Sequence, residues 1–149
     1  MTMSIEQVQK RLLVQMCALV GVAILIVILF EYAPSVLPDN WYMAEHANLN
    51  FGILTCMELL TLGMIPFALR LMKLRAIKRY IAEKQEKGFL MAGLLRCDMI
   101  CLPMILNVLF YYLFMYAAYI YMAIILFLCL FFIFPTMARC KREWEDAEK

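Results

Sequence analysis

The sequence is poor in charged residues and lacks the motifs on which most catalytic sites depend. Only 17% of its 149 residues are charged, and His46 is its single histidine. One histidine excludes a haem held between two histidines of this chain. There is no glycine-rich phosphate loop, no H-E-x-x-H pair and no nucleophile elbow. We therefore expect no enzyme activity, no metal centre and no cofactor.

Apolar residues, in contrast, make up 66% of the sequence and give it a mean hydropathy of +0.79. The usual apolar share of a soluble domain is about half. So large an apolar fraction requires lipid in place of water around much of the chain. Because 149 residues is also the length of one domain, we expect a single membrane domain over residues 1–149.

The six cysteines do not indicate a disulfide scaffold. All of them lie in or beside apolar runs, where cysteine behaves as a small apolar residue: Cys17, Cys56, Cys97, Cys101, Cys129 and Cys140. Cys97 and Cys101 share a helical face, but two thiols without a histidine rarely complete a metal site. We expect no redox or metal role for them.

Four apolar segments are long enough to cross the hydrocarbon core of a bilayer, which takes about 20 helical residues. We predict transmembrane helices at about 12–30, 49–69, 89–110 and 117–137. The last two share one apolar run from Phe89 to Met137, which holds two spans only if the third helix begins near Phe89. We place the turn between them within 107–116, where Asn107 and three tyrosines supply polar groups for a membrane interface.

The charges around these segments predict an orientation. The outer loop, residues 31–48, has three acidic residues and no Lys or Arg, and its Trp41 and Tyr42 are typical of a membrane interface. All fourteen Lys and Arg residues lie in the N-terminal tail, the connector with the entrance of the third helix, or the C-terminal tail. The positive-inside rule therefore predicts that both termini and the connector are cytosolic, in a cytoplasmic (inner) membrane.

The connector, residues 70–88, is basic and amphipathic. Its apolar residues recur at helical spacings, which predicts a continuation of the second helix: Leu71, Leu74, Ile77 and Ile81. Gly88 is the predicted stop of that helix. Four basic residues are expected at the membrane surface: Lys73, Arg75, Lys78 and Arg79. Beside two membrane spans they fit anionic lipid headgroups better than nucleic acid.

Glu58 is the most unusual residue of the predicted second span. It precedes Arg70 by twelve residues, which places it about 18 Å from the cytosolic edge. A carboxylate at that depth costs about 2.5 kcal/mol or more on insertion scales. Thr55 and Thr61 share its helical face, so we expect this polar face to meet another helix or a water-filled cavity. A structural contact between helices is the favoured interpretation, and a functional role is the alternative.

Arg96 and Asp98 form a second intramembrane feature. If the third helix begins near Phe89, Asp98 lies about 14 Å from the cytosolic side, at a depth similar to that of Glu58. We expect Arg96 to extend down to the headgroups. The carboxylates of Glu58 and Asp98 could then bracket one polar pocket with Arg96 as its cation. Such a pocket would hold a salt bridge between helices, the favoured interpretation, or a pathway for protons or cations.

The predicted fold is an all-α integral membrane protein, an antiparallel bundle of four transmembrane helices. Two helical hairpins are joined by the basic amphipathic cytosolic connector. The favoured function is a small non-enzymatic subunit, assembly or regulatory component that acts through contacts between helices. The alternative is a proton, ion or small-solute transporter or channel component that uses Glu58 and Asp98. Either would assemble in the lipid bilayer as a homo-oligomer or with another membrane protein, and neither would bind nucleic acid.

Overall fold

The computed structural model describes residues 4–32 and 47–148, and these residues are helical almost throughout. They form five α-helices and one 3₁₀ turn, with no strand in the described part of the chain: α1 (Ile5–Tyr32), α2 (Ala47–Arg70), the 3₁₀ turn Leu71–Lys73, α3 (Arg75–Phe114), α4 (Ala117–Ile133) and α5 (Met137–Glu148). The predicted all-α class is confirmed. Trp41, Tyr42, His46 and most of the predicted outer loop lie outside the described residues.

Three helical segments are long and apolar enough to cross a bilayer: Ile5–Tyr32, Asn48–Lys73 and Arg75–Phe114. α4 has 17 residues, and a bend of 73° separates it from α5. The bent pair of α4 and α5 provides a fourth crossing if it counts as one span. The helix lengths thus agree with the prediction of a membrane protein, with three or four crossings.

α1 begins directly after Ser4, before the predicted first span at 12–30. The backbone N–H of Gln7 donates a hydrogen bond of 3.4 Å to the side-chain oxygen of Ser4. A side-chain acceptor at this place satisfies one of the N–H groups that a helix start leaves without a partner. From Ile5 the helix then runs for 28 residues.

α3 is the central helix, since α1, α2 and α4 all pack on it. Its buried residues form the middle of the largest apolar cluster: Cys97, Ile100, Cys101, Met104 and Val108. Gly93 lets α1 approach closely, because a Cβ atom at this position would lie 2.8 Å from a methyl carbon of Leu12. A side chain at position 93 would therefore require Leu12 to shift.

The connector does not continue the second helix, so that prediction is wrong. The chain leaves helical geometry at Leu74, with φ −67° and ψ 133°, and α3 starts at Arg75. A second break follows at Gln85, with φ 49° and ψ −125°. Leu71 and Ile81 of the apolar stripe are buried, and Ile81 lies in one apolar cluster with Phe89, whereas Leu74 at the first break is exposed. Both ends of the stripe are therefore buried in the protein, and α2 is not extended.

Gly88 is not the end of a helix but the position where the folded connector comes closest to the rest of α3. A Cβ atom at Gly88 would lie 2.8 Å from the backbone oxygen of Tyr80 and 3.0 Å from the Cα atom of Ile81. No other residue type could occupy this place without moving the backbone. The prediction of a helix stop at Gly88 is wrong, since the break lies at Gln85 and the glycine serves close packing.

The turn between α3 and α4 lies at Met115 and Tyr116, the end of the predicted range. Met115 has a left-handed backbone, with φ 52°, and its N–H donates to the oxygen of Tyr111 at 2.7 Å. Asn107, which was assigned to this turn, is instead completely buried within α3. It was misplaced because a polar residue in an apolar run resembles an interfacial residue until its buried partners are known.

The predicted C-terminal tail forms the helix α5, which lies at the same end of the bundle as the connector. Residues from three helices meet in what we call the terminal cluster: Val8, Leu12, Ile81, Phe89, Ala92 and Cys140. The ring of Trp144 packs edge-on against that of Phe89, with 5.6 Å between centroids. The start of α1, the connector and α5 are therefore joined by one apolar contact.

Candidate functional site

Glu58 lies on the outer surface of α2. The inner face of this helix consists of Met57, Thr61 and Ala68, which are buried against neighbouring helices. Glu58 is exposed, and it forms no ion pair with any residue that the structure describes. The prediction that its polar face points into the bundle is therefore wrong for Glu58, since the residue that faces inward is the neighbouring Met57.

The two threonines near Glu58 lie on different faces. Thr55 is exposed, and its hydroxyl donates to the backbone oxygen of Phe51 at 2.9 Å. Thr61 is buried, and its hydroxyl oxygen accepts from the side-chain amide of Asn107 at 3.4 Å. Only Thr61 fulfils the expectation of a polar contact with another helix.

The contact of Thr61 with Asn107 also separates Glu58 from Asp98. α2 and α3 run antiparallel, because Met57 packs beside Phe114 whereas Ala68 packs beside Ile100. Asp98 precedes Asn107 by nine residues, which is about 14 Å along the helix axis. Glu58 lies a further turn away in the opposite direction. The prediction of equal depth and a shared pocket is wrong, because the folded connector places the start of α3 below the end of α2.

Asp98 is half-buried and meets α1 instead. Its Oδ1 atom accepts a hydrogen bond of 3.4 Å from the side-chain amide of Gln15. Gln15 is the one strongly polar residue of the predicted first span, residues 12–30. This pair therefore joins the polar side chains of two otherwise apolar helices.

Arg96 is buried, so the prediction that its side chain extends to the headgroups is wrong. Its two terminal nitrogens donate to the two carboxylate oxygens of Glu143, at 2.8 and 3.3 Å. The Arg96 side chain is 5% exposed and that of Glu143 17% exposed. A charge this far from solvent requires a partner, and the carboxylate of α5 supplies it. The Nε atom of Arg96 has no hydrogen-bond partner among the described residues.

Further polar contacts hold α5 in place. Arg139 donates from its Nε atom to Glu143 at 3.0 Å and also to the backbone oxygen of Phe132. Lys78 donates to the backbone oxygen of Asp146 at 2.8 Å. Burial raises the pKa of the Cys140 thiol, and the neighbouring carboxylate of Glu143 acts in the same direction. α5 is thus attached through both charged and apolar contacts.

The four predicted surface cations divide into two pairs. Lys73 and Lys78 line a polar cavity below the end of α2, together with Arg139 and Glu143 of α5. Arg75 and Arg79 are exposed and do not line that cavity. Residues of the same charge and the same segment therefore have different surroundings.

Sequence reasoning missed two polar partners. Glu143 stands in a charged tail that resembles a solvated segment, and only the helical spacing from Arg139 hinted at its contacts. Asn50 accepts a hydrogen bond of 3.0 Å from the hydroxyl of the buried Tyr119. Both contacts join residues far apart in sequence, so no local pattern indicates them. Among the described residues, no three His, Cys, Asp or Glu side chains could hold a metal ion together.

The chain was compared with protein-family models, with curated proteins and with solved structures. No family model, no curated protein and no solved structure matches it.

Proposed function

We propose that the chain is an integral membrane protein of four spans that acts as a non-enzymatic subunit, assembly or regulatory component. It works by binding another membrane protein through the outer face of α2. The apolar helices support the membrane location. The observation that carries the proposed activity is the exposed Glu58 in the middle of one of those helices.

The proposed orientation places both termini and the connector in the cytosol. The terminal cluster supports it, because it brings the start of α1, the connector and α5 to one end of the bundle. These segments carry almost all the basic residues, which the positive-inside rule assigns to the cytosol. A thiol introduced at Lys84 should therefore resist a membrane-impermeant maleimide added to intact cells. Labelling from outside would overturn the orientation.

The outer face of α2 has the character of an interface within a membrane. Thr55 and Glu58 lie in one stripe with Phe51 and Leu62, whose side chains are 72% and 69% exposed. Left in lipid, the carboxylate of Glu58 would cost about 2.5 kcal/mol or more. A partner helix that donates a hydrogen bond or carries a cation at this depth removes that cost. We therefore infer a partner with such a donor, in a second copy or in another membrane protein.

The test is photo-crosslinking in native membranes. A photoreactive residue at Leu62, on the face of Glu58, should capture a protein. The same residue at Leu128, on the exposed apolar side of α4, is the matched control and should react mainly with lipid. A polar contact between membrane helices contributes about 1 kcal/mol, so Glu58→Leu should lower capture at Leu62 about fivefold.

Two differently tagged copies distinguish the partners. A crosslinked product that carries both tags identifies a homo-oligomer. A product that carries one tag and has the added mass of another protein identifies a different partner. Equal capture at Leu62 and Leu128, or capture that Glu58→Leu leaves unchanged, would refute the proposed interface.

Transport that uses Glu58 and Asp98 is the weaker candidate, because the two carboxylates face different surroundings and lie well over one helical turn apart. A pathway would have to pass between subunits rather than through one bundle. Reconstituted vesicles decide this: a pH-dependent flux that Glu58→Gln abolishes while assembly stays intact would favour transport over the proposed binding function.

A further inference from the structure

A polar cavity of about 470 Å³ lies at the end of the bundle where the connector meets α5. We call it the basic cavity. It is lined by Leu69, Met72 and Lys73 at the end of α2, by Lys78 near the start of α3, and by Arg139, Glu143 and Asp146 of α5. Its lining is made by three segments that are separate in sequence, so the cavity exists only when α5 is docked.

The charges around the basic cavity leave an excess of positive charge. Its one half-buried carboxylate, Glu143, is already engaged by Arg96 behind the wall and by Arg139 beside it. The ammonium group of Lys78 is held by the neutral backbone oxygen of Asp146, and Lys73 forms no ion pair with a described residue. The side chain of Asp146, the other acidic residue of the rim, is exposed to solvent. The cavity is therefore suited to an anion.

The position of the cavity indicates which anion. Leu69 belongs to the last turn of α2, a helix long and apolar enough to cross a bilayer, and Met72 follows it. A ligand in the cavity would therefore meet both lysine ammonium groups and apolar side chains. This combination matches a phosphate group attached to acyl chains.

We propose that the basic cavity binds the phosphate headgroup of an anionic phospholipid from the cytosolic leaflet. The inference rests on the proposed membrane location and not on the proposed partner of Glu58. A soluble phosphate ester has the same charged group but no use for the apolar wall, and the experiment below distinguishes the two. Lys73 and Lys78 provide the recognition, and α5 closes the site.

The connector contains its own matched control. Lys73→Gln with Lys78→Gln removes two charges that line the cavity, whereas Arg75→Gln with Arg79→Gln removes two that do not. Diffuse attraction to an anionic surface depends on the number of charges and predicts equal losses for the two variants. A specific site predicts unequal losses. Each cavity lysine should contribute about fivefold to affinity, and the lysine pair about 25-fold.

Binding is measured by native mass spectrometry on the full chain in neutral detergent, titrated with phosphatidylglycerol, phosphatidylcholine or inorganic phosphate. We expect phosphatidylglycerol to bind in preference to phosphatidylcholine, the lysine variant to lose about 25-fold in affinity, and the arginine variant to stay within about twofold. Leu69→Trp, which adds bulk to the apolar lining of the cavity and keeps every charge, should also abolish the preference. It tests the site independently if the lysine variant folds poorly.

Three results would overturn the proposal. Equal losses in the lysine and arginine variants would leave only diffuse attraction. Inorganic phosphate that binds as tightly as the lipid would identify a soluble ligand. Equal binding of phosphatidylglycerol and phosphatidylcholine would show that the cavity does not select an anionic headgroup. Release of the chain from membranes by alkaline carbonate would instead refute the membrane location, which is a separate and recognisable failure.

Discussion

The ion pair between Arg96 and Glu143 provides the sharpest prediction about stability. Glu143→Leu leaves the guanidinium of Arg96 buried, with a side chain only 5% exposed and without its bidentate partner. Loss of one member of a buried pair costs about 3–5 kcal/mol. Since Glu143 is partly exposed at the edge of the fold, we expect the lower end of that range. The first consequence should be release of α5 rather than unfolding of the bundle.

Trypsin measures that release, because Arg139, Lys141 and Arg142 lie within α5. When opening is fast relative to cleavage, the cleavage rate follows the population of the open form. A loss of about 3 kcal/mol corresponds to cleavage about a hundredfold faster. The fluorescence of Trp144, which packs against Phe89, should change in parallel as α5 leaves the bundle.

The double variant Arg96→Met with Glu143→Leu is the decisive comparison. Replacing a whole buried ion pair by apolar residues is often neutral or stabilising, so the double variant should return to within about 1 kcal/mol of the parent. Arg139→Met, which removes only a part-exposed partner of Glu143, should cost about 1 kcal/mol or less. If the single and double variants were cleaved equally fast, the buried charge would not be the cause and the reasoning would fail.

Two further predictions concern packing and reactivity. Gly93→Ala should be less stable in a thermal unfolding assay in detergent than Gly21→Ala by about 1 kcal/mol, because its Cβ atom would lie 2.8 Å from a methyl carbon of Leu12, which must shift. The Cβ atom of Gly21→Ala would meet nothing within 4 Å, so equal effects of the two substitutions would refute the close contact. A raised pKa means less thiolate at any given pH below it, so peptide mapping should find Cys140 alkylated at higher pH than an ordinary exposed thiol. In Glu143→Leu the alkylation of Cys140 should shift to lower pH. An unchanged pH profile would contradict burial and the Glu143 carboxylate as the causes of the raised pKa.

The parts of the fold that depend on local sequence were predictable. Ser4 begins α1, the run from Phe89 to Met137 contains two helices, and the turn at Met115 lies within the range that length alone required. In each case a property of neighbouring residues decides the outcome, whether a side-chain acceptor at a helix start or the number of residues in an apolar run.

The residues that were misjudged depend on partners distant in sequence. The spacing of Leu71 to Ile81 specifies an apolar stripe but not the surface that buries it, so the break at Leu74 could not be foreseen. Glu58 lies within the second helix, as the apolar run around it indicated. The direction that it faces is set by Thr61, which contacts Asn107 of α3. Arg96 was recognised as an unusual cation, but its partner lies 47 residues away.

The two proposed surfaces are physically independent. Glu58 precedes Arg70 by twelve residues, so about 18 Å of helix separates it from the end of α2, beside which the basic cavity lies. Substitutions more than about 7–10 Å apart that share no partner have additive effects on free energy. Combining Glu58→Leu with the substitutions of Lys73 and Lys78 should therefore lower partner capture and lipid affinity by the same factors as each change alone. A lipid affinity that depended on Glu58 would mean that α2 couples the two surfaces, which rigid packing of its inner face against α3 opposes.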